Sequence, residues 1–257
     1  MQHQGTVTRQ FGNQAQAYLS SAVHAHGRDL VQLGELAATF AAGAAVLDLG
    51  CGAGHASFAV APHVGEVVAY DLSDDMLTVV TSAAAERGIE ALRIQQGLVE
   101  QLPFADGTFA LVISRYSAHH WSDPARALRE AFRVLAPGGQ LCLIDVVGPR
   151  GPHAALLDTH LQAIELLRDV SHVRNYSHDE WRAMLAVAGF EHPEEQNWRL
   201  DIGFDAWLAR MSTPAPFETA IRHLLMQAPD EVRRYYDIDP ATLDFRLESA
   251  MFTARRP

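Results

Sequence analysis

Between residues 45 and 147 the chain repeats one pattern. A short apolar run is followed by a polar or glycine-rich link and then by a stretch with helical spacing. The runs are AVLDLG (45–50), EVVAYD (66–71), ALRIQQG (91–97), FALVIS (109–114) and QLCLIDVV (140–147). Each is too short for a core helix and too continuously apolar for a half-solvated strand, so each reads as a strand buried on both faces. Helical stretches fall at 73–87 and 124–135. The first opens on Ser73 as an N-cap with Asp74 and Asp75 in its first turn. The second is ended by Pro137-Gly138-Gly139. Strands and helices alternating with short links require parallel strands joined by right-handed crossovers. The chain is therefore an α/β protein with a doubly wound sheet. Such sheets bind ligands beyond the carboxyl ends of their strands.

Beyond residue 150 the pattern loosens. Residues 151–188 read as helices closed by Gly189, 190–200 as a strand, 204–235 as helices and 243–253 as a last strand. A helical insert between the last two strands predicts a cap over the carboxyl end of the sheet. Trp181, Trp198, Trp207, Met211 and Phe217 are the apolar residues that either wall an acceptor pocket there or, as is commoner in helical inserts, pack a core.

Composition narrows the chemistry. All 20 basic residues are arginine. A chain without lysine has no P-loop, no kinase-type phosphate lysine and no Schiff-base amine. A formal net charge of −11 argues against a nucleic-acid partner. The 13 histidines are scattered, with no H-E-x-x-H and no Cys-x-x-Cys, so no metal site is expected. Two cysteines, Cys51 and Cys142, cannot build a disulfide framework. With a polar N-terminus and no apolar run long enough to cross a bilayer, they suggest a cytoplasmic protein.

Three segments carry the functional signal. The first is Asp48-Leu49-Gly50-Cys51-Gly52-Ala53-Gly54-His55. Glycines at a spacing of two let the backbone turn tightly and come close to a ligand. A dinucleotide fingerprint would need a small residue where His55 stands, and Asp48 would repel a pyrophosphate but suit a positive amine. The second is Asp71, which ends its strand 21 residues after Gly50. A carboxylate there can accept both hydrogen bonds of a ribose diol. Met76 offers a soft surface to a purine. The third is the loop 97–109, from Gly97-Leu98-Val99 through Leu102-Pro103-Phe104 to an Asp-Gly turn, placed to edge an adenine pocket.

Together these segments resemble the class I S-adenosylmethionine-dependent methyltransferases of the ubiquinone/menaquinone-biosynthesis-like small-molecule branch. VLDLGCGAG, AYDLSDDML, GLVEQLPFADGTFALVISRYSAHHWSDP and REAFRVLAPGGQL match the family's motifs in order and spacing. The resemblance implies a seven-stranded, mostly parallel Rossmann-like sheet with an antiparallel last strand. It implies N-terminal lid helices over 1–40, with Phe11 to Tyr18 closing over the donor. The binding core would span 41–150. A C-terminal part over 151–257 would complete the sheet and carry a cap at about 203–240. S-adenosylmethionine would be the methyl donor and S-adenosylhomocysteine the product. Asp48, Gly50, Gly52 and Gly54 would hold its methionine part. Asp71 would take the ribose, Leu72 and Met76 would flank the adenine, and Leu98 and Val99 would cover its edge. The family often has aspartate at position 98; leucine here leaves adenine to be read by backbone or packing. Arg115 would anchor the donor carboxylate. His120, after the fourth strand, is the first candidate for a base or substrate orienter. Asp145 is a candidate for acceptor binding or for a buried structural role. The expected substrate is a small organic molecule methylated at oxygen or carbon, apolar or aromatic, and a homodimer is compatible with the sequence. Two other readings stay open: a nicotinamide-dependent oxidoreductase, and a non-catalytic regulator that binds the donor.

Overall fold

The computed structural model describes residues 3–12 and 27–257. Of the expected lid segment from Phe11 to Tyr18, residues 13–18 lie outside the described residues. Helix α1 (His3–Gly12) and helix α2 (Arg28–Ala37) precede the sheet. Then come β1 (Ala45–Leu49), α3 (His55–Val60), β2 (Glu66–Asp71), α4 (Asp74–Glu86), β3 (Leu92–Gln96) and β4 (Phe109–Arg115). They are followed by α5 (Pro124–Val134), β5 (Leu135–Val146), α6 (Ala154–Arg168), α7 (His178–Ala188) and β6 (Glu191–Ile202). The short helices α8 (Phe204–Arg210), α9 (Ala215–Met226) and α10 (Asp230–Tyr236) lead into β7 (Phe245–Arg255).

The seven strands form one sheet in the order β3-β2-β1-β4-β5-β7-β6. The first five are parallel, and β7 runs antiparallel to both β5 and β6. Strand order reverses between β1 and β4, which puts the topological switch at the end of β1.

Alternating side chains explain why the central strands are apolar throughout. Leu47 and Leu49, Val112 and Leu143 pack with Ala127, Leu128 and Ala131 of α5 and with Trp181 and Leu185 of α7. Val46, Leu111, Ile113, Cys142 and Ile144 point the other way, onto Leu33 of α2 and Ala56 and Val60 of α3. A period of two thus feeds two helix layers. Helix ends follow local rules. The Ser73 hydroxyl accepts the Met76 N–H at the start of α4, and Ser177 with Glu180 forms a reciprocal capping box on α7. Gly189 ends α7 at φ +99°, seated against Phe132.

Three expectations are corrected. β3 is not buried on both faces: Arg93 to Gln96 are exposed, because β3 is an edge strand paired only with β2. Pro137-Gly138-Gly139 does not follow the helix as a loop. β5 begins at Leu135, and the ladder with β4 jumps from the Phe109–Leu135 pair to Leu111–Gln140, so the three residues form a bulge. Gly138 N–H donates to the Arg256 carbonyl and Arg256 N–H to the Gly139 carbonyl, tying this bulge to the end of β7.

The third concerns the aromatic residues assigned to the cap. Trp181 belongs to the main core, and Trp198 lies on β6 with the Arg28 guanidinium over its ring at 6.0 Å. Helix periodicity placed their apolar faces but not the layer they meet. Trp207 does belong to the cap, packing with Phe204, Leu208, Ile221 and Leu225 on Leu157, Leu161 and Ile164 of α6.

Candidate active site

A cavity of about 1050 Å³, counting the space at its mouth, lies beyond the carboxyl ends of β1, β2 and β4. The switch point predicts this position. The turn after β1 supplies its floor. Gly50 has φ +66°, and a Cβ there would come within 1.8 Å of the Ser117 hydroxyl oxygen. The N–H groups of Gly50 and Cys51 both donate to the Tyr70 carbonyl. Gly52 has φ +51° and opens on free space. Both glycines therefore serve the turn, and backbone faces the cavity.

Of the residues expected at the site, Asp48, Gly50, Gly52, Asp71, Leu72, Met76, Leu98, Val99, Arg115 and His120 all border this cavity. Gly54 is not on its wall. It caps α3 at φ +84°, where a Cβ would strike the Phe58 ring at 2.8 Å. Its smallness serves helix packing. Phe11 borders the cavity, its ring edge-on to His120 at 4.8 Å. The preceding turns of α1 add His3, Gln4 and Val7, which sequence reading missed. The i, i+4 spacing of Val7 and Phe11 was the available signal.

The two carboxylates differ in what they lack. Asp71 accepts the Gly52 N–H on one oxygen (2.9 Å) and the Ser73 N–H on the other (2.8 Å). Each oxygen keeps one lone pair. Burial lifts its pKa above the ordinary carboxylate value despite those bonds. Asp48 is buried. One oxygen accepts the Ser57 hydroxyl at 2.6 Å, and the other, Oδ1, has no partner among the described residues. Burial, with the nearby Asp71 charge adding to it, pushes Asp48 up to about 7 even though Ser57 stabilises the anion.

The loop that begins at Gly97 is set by Tyr70. Its hydroxyl donates to the Leu98 carbonyl at 3.0 Å, and burial pushes its pKa up to about 12. Gly97 makes room for it: a Cβ would come within 1.9 Å of that hydroxyl.

Arg115 is held by a buried partner: its Nε donates to Asp29 Oδ2 of α2 at 2.5 Å, with both side chains nearly buried. The guanidinium also lies over the Tyr116 ring at 4.8 Å.

The short helical turn Ala118–His120 after β4 carries two unlike histidines. His120 Nδ1–H donates to the Ser171 carbonyl at 3.1 Å. Burial, then the neighbouring His119, lower its pKa to about 4. His119 Nδ1–H donates to Asp145 Oδ1 at 2.6 Å. The same carboxylate accepts the backbone N–H groups of His119 and Val146. Burial would lower His119, but Asp145 carries it above its ordinary value. Sequence reading favoured His120 and left Asp145 undecided; the pairing of His119 with Asp145 was not legible.

The chain matches the family model described as a methyltransferase domain over residues 47–143. YcgJ of Bacillus subtilis, described as an uncharacterised methyltransferase, is 40% identical over 87% of each chain. Its crystal structure superposes with a TM-score of 0.84, covering 90% of this chain and 99% of that one at 36% identity. The chain belongs to the class I S-adenosylmethionine-dependent methyltransferases. The methyltransferase is also 46% identical to YafE of Escherichia coli, over 71% of this chain and 87% of that one. A demethylmenaquinone methyltransferase of Lactococcus lactis matches at 34% identity over 43% of this chain and 45% of that one. The nicotinamide-enzyme alternative has no support in these relatives. In this methyltransferase His55 opens α3 on the cavity wall, at the position that a dinucleotide site gives to a small residue.

Proposed function

We propose that this methyltransferase moves the methyl group of S-adenosylmethionine onto an oxygen or carbon of a small organic acceptor, in the cytoplasm. The observation that carries the donor site is Asp48 Oδ1: a buried carboxylate oxygen without a partner, beside a loop that shows backbone to the cavity. Such an atom is costly unless a cation completes it. The donor's ammonium group supplies one.

The other residues follow from the cavity's shape. Gly50 and Gly52 admit the methionine chain. Asp71 takes the ribose hydroxyls on its remaining lone pairs. Leu72 and Met76 face one side of the adenine, and Leu98 and Val99 cover its edge. With Leu98 in place of an acid, the adenine amine is read by packing and backbone. Arg115 faces the donor carboxylate while staying paired with Asp29. When bound, the donor supplies an already activated methyl on a positive sulfur. The protein's part is alignment and exclusion of water, which are worth several kcal/mol. Phe11 and Val7 close one side, and His120, neutral at pH 7, orients the acceptor. The Lactococcus lactis relative is named for demethylmenaquinone, a naphthoquinone, which supports a small cyclic organic acceptor here.

Transfer of labelled methyl from S-adenosylmethionine into an organic-extractable hydroxylated aromatic tests the reaction. Labelled product is expected. Tight donor binding with no transfer to any acceptor would favour the regulator reading. Asp71→Ala is expected to weaken S-adenosylhomocysteine binding by about 2 kcal/mol, roughly thirtyfold, through lost hydrogen bonds to a charged acceptor. Calorimetric titration measures it. An unchanged affinity removes Asp71 from the ribose.

A further inference from the structure

A second chamber of about 650 Å³ adjoins the donor cavity, and Phe11, Tyr116 and His120 border both. One part of its wall is apolar: Val146, Leu200, Ile202, Trp207 and Leu247. The other part is polar, and its groups are unusually constrained. His119 has Nδ1 tied to Asp145, and no hydrogen bond among the described residues reaches its Nε2. Asn175 is 1% exposed and borders the chamber, yet its Nδ2 donor has no partner. The backbone places the two together: the N–H of Val173 donates to the His119 carbonyl at 2.8 Å, two residues before Asn175. A buried amide donor without an acceptor is costly, so it asks for an oxygen atom.

Resting on the donor reading above, we propose that this chamber receives the methyl acceptor, a phenol or enol with an apolar body, and that His119 is the base that takes its hydroxyl proton. The hydroxyl O–H bond breaks, the proton goes to His119 Nε2, and the electron pair stays on oxygen. Asn175 Nδ2–H donates to that oxygen. Asp145 is a positioning residue, fixing the tautomer that leaves Nε2 as the acceptor nitrogen and balancing the imidazolium.

The charges around the dyad allow an anion. Asp145 faces His119 from β5, and Glu165 and Arg168 border the chamber from α6. Asp169 follows α6, and His172 lies 5.6 Å from the His119 ring. Arg210 comes from the cap. Burial raises Glu165, which still lies 3.6 Å from the Arg168 guanidinium, and lowers His172 to about 2, so His172 adds no charge beside the dyad. Protonation of His119 supplies the positive charge that faces the phenolate.

The probe is 4-nitrophenol, whose ionised form is coloured, added to the full chain with S-adenosylhomocysteine. Absorbance against pH is expected to show a bound nitrophenol ionising at least one pH unit below the free compound. His119→Gln should keep probe binding but lose that shift, a tenfold drop in bound phenolate at fixed pH. Asn175→Ala should weaken probe binding about tenfold. Leu200→Trp, which fills the apolar end, should abolish it. S-adenosylhomocysteine binding, read by calorimetry in every variant, reports folding and the donor site separately. If the homologue binds but the probe does not, or the shift survives in His119→Gln, or Leu200→Trp binds the probe normally, the acceptor site is overturned and the donor reading stands. If the homologue itself fails to bind wild-type protein, the donor reading falls, and the proposal with it.

Discussion

Asp48→Asn is expected to cost S-adenosylmethionine about 3 kcal/mol of binding, on the order of a hundredfold in affinity, while making the unliganded protein more stable. The two signs come from one atom. Truncating one partner of a buried charge pair costs about 2–5 kcal/mol, and here the proposed partner is the donor's ammonium. Without donor, the same carboxylate is buried with Oδ1 unpaired. Its pKa rises from 3.8 in the unfolded chain to about 7 in the fold. The folded state therefore holds a proton that the unfolded state has released. Stability falls as pH rises through the window from about 4 to 7, by up to about 4 kcal/mol, and is level above it. Asparagine removes that penalty. Binding has the opposite slope. Below pH 7 Asp48 must lose its proton to accept the ammonium, so affinity should fall roughly tenfold per pH unit between 7 and 5. This slope should vanish in Asp48→Asn. Calorimetry across that range, with thermal melts of the unliganded chain, measures both. A variant that is less stable and equally tight would refute this role for Asp48.

Arg115→Ala is expected to destabilise folding by about 3–5 kcal/mol, measured by urea unfolding. Its guanidinium and the Asp29 carboxylate meet at 2.5 Å with almost no exposure. Removing the arginine strands a buried carboxylate. The double variant Asp29→Leu/Arg115→Met should recover most of the loss, because two apolar groups need no partner. Failure of the double variant to recover would show that the arginine's value lies elsewhere, such as in its contact with Tyr116. The prediction also qualifies the sequence reading of Arg115 as a ligand anchor. The side chain is first a tie between α2 and β4, and any contact with the donor is added to that.

What could be read from the sequence is what is local in it. The turn after β1 needs glycine at Gly50 and Gly52 because both have positive φ, a local property. Asp71 ends a strand whose apolar run is plain. The capping of α4 by Ser73 lies within three residues. These features all fall on the wall of one cavity. The features missed join distant residues. His119 meets Asp145 across 26 positions, and Arg115 meets Asp29 across 86. No periodicity encodes such pairs. Gly54 looked like a ligand glycine and is a packing glycine, since only the Phe58 ring beneath it tells them apart. Trp181 looked like a cap residue because helical spacing shows that a face is apolar without showing what covers it. β3 was grouped with the buried strands because it falls in the same alternating pattern, whereas its place at the sheet edge depends on strand order.

We propose that the cavity beyond β1 and β2 seats S-adenosylmethionine. Thermal unfolding with S-adenosylhomocysteine and, separately, with NAD tests it most directly. At a ligand concentration a hundred times the dissociation constant, the bound protein should gain about 2.7 kcal/mol, visible as a clear rise in midpoint. The predicted result is that rise with S-adenosylhomocysteine and none with NAD. A rise with NAD and none with S-adenosylhomocysteine would contradict the account.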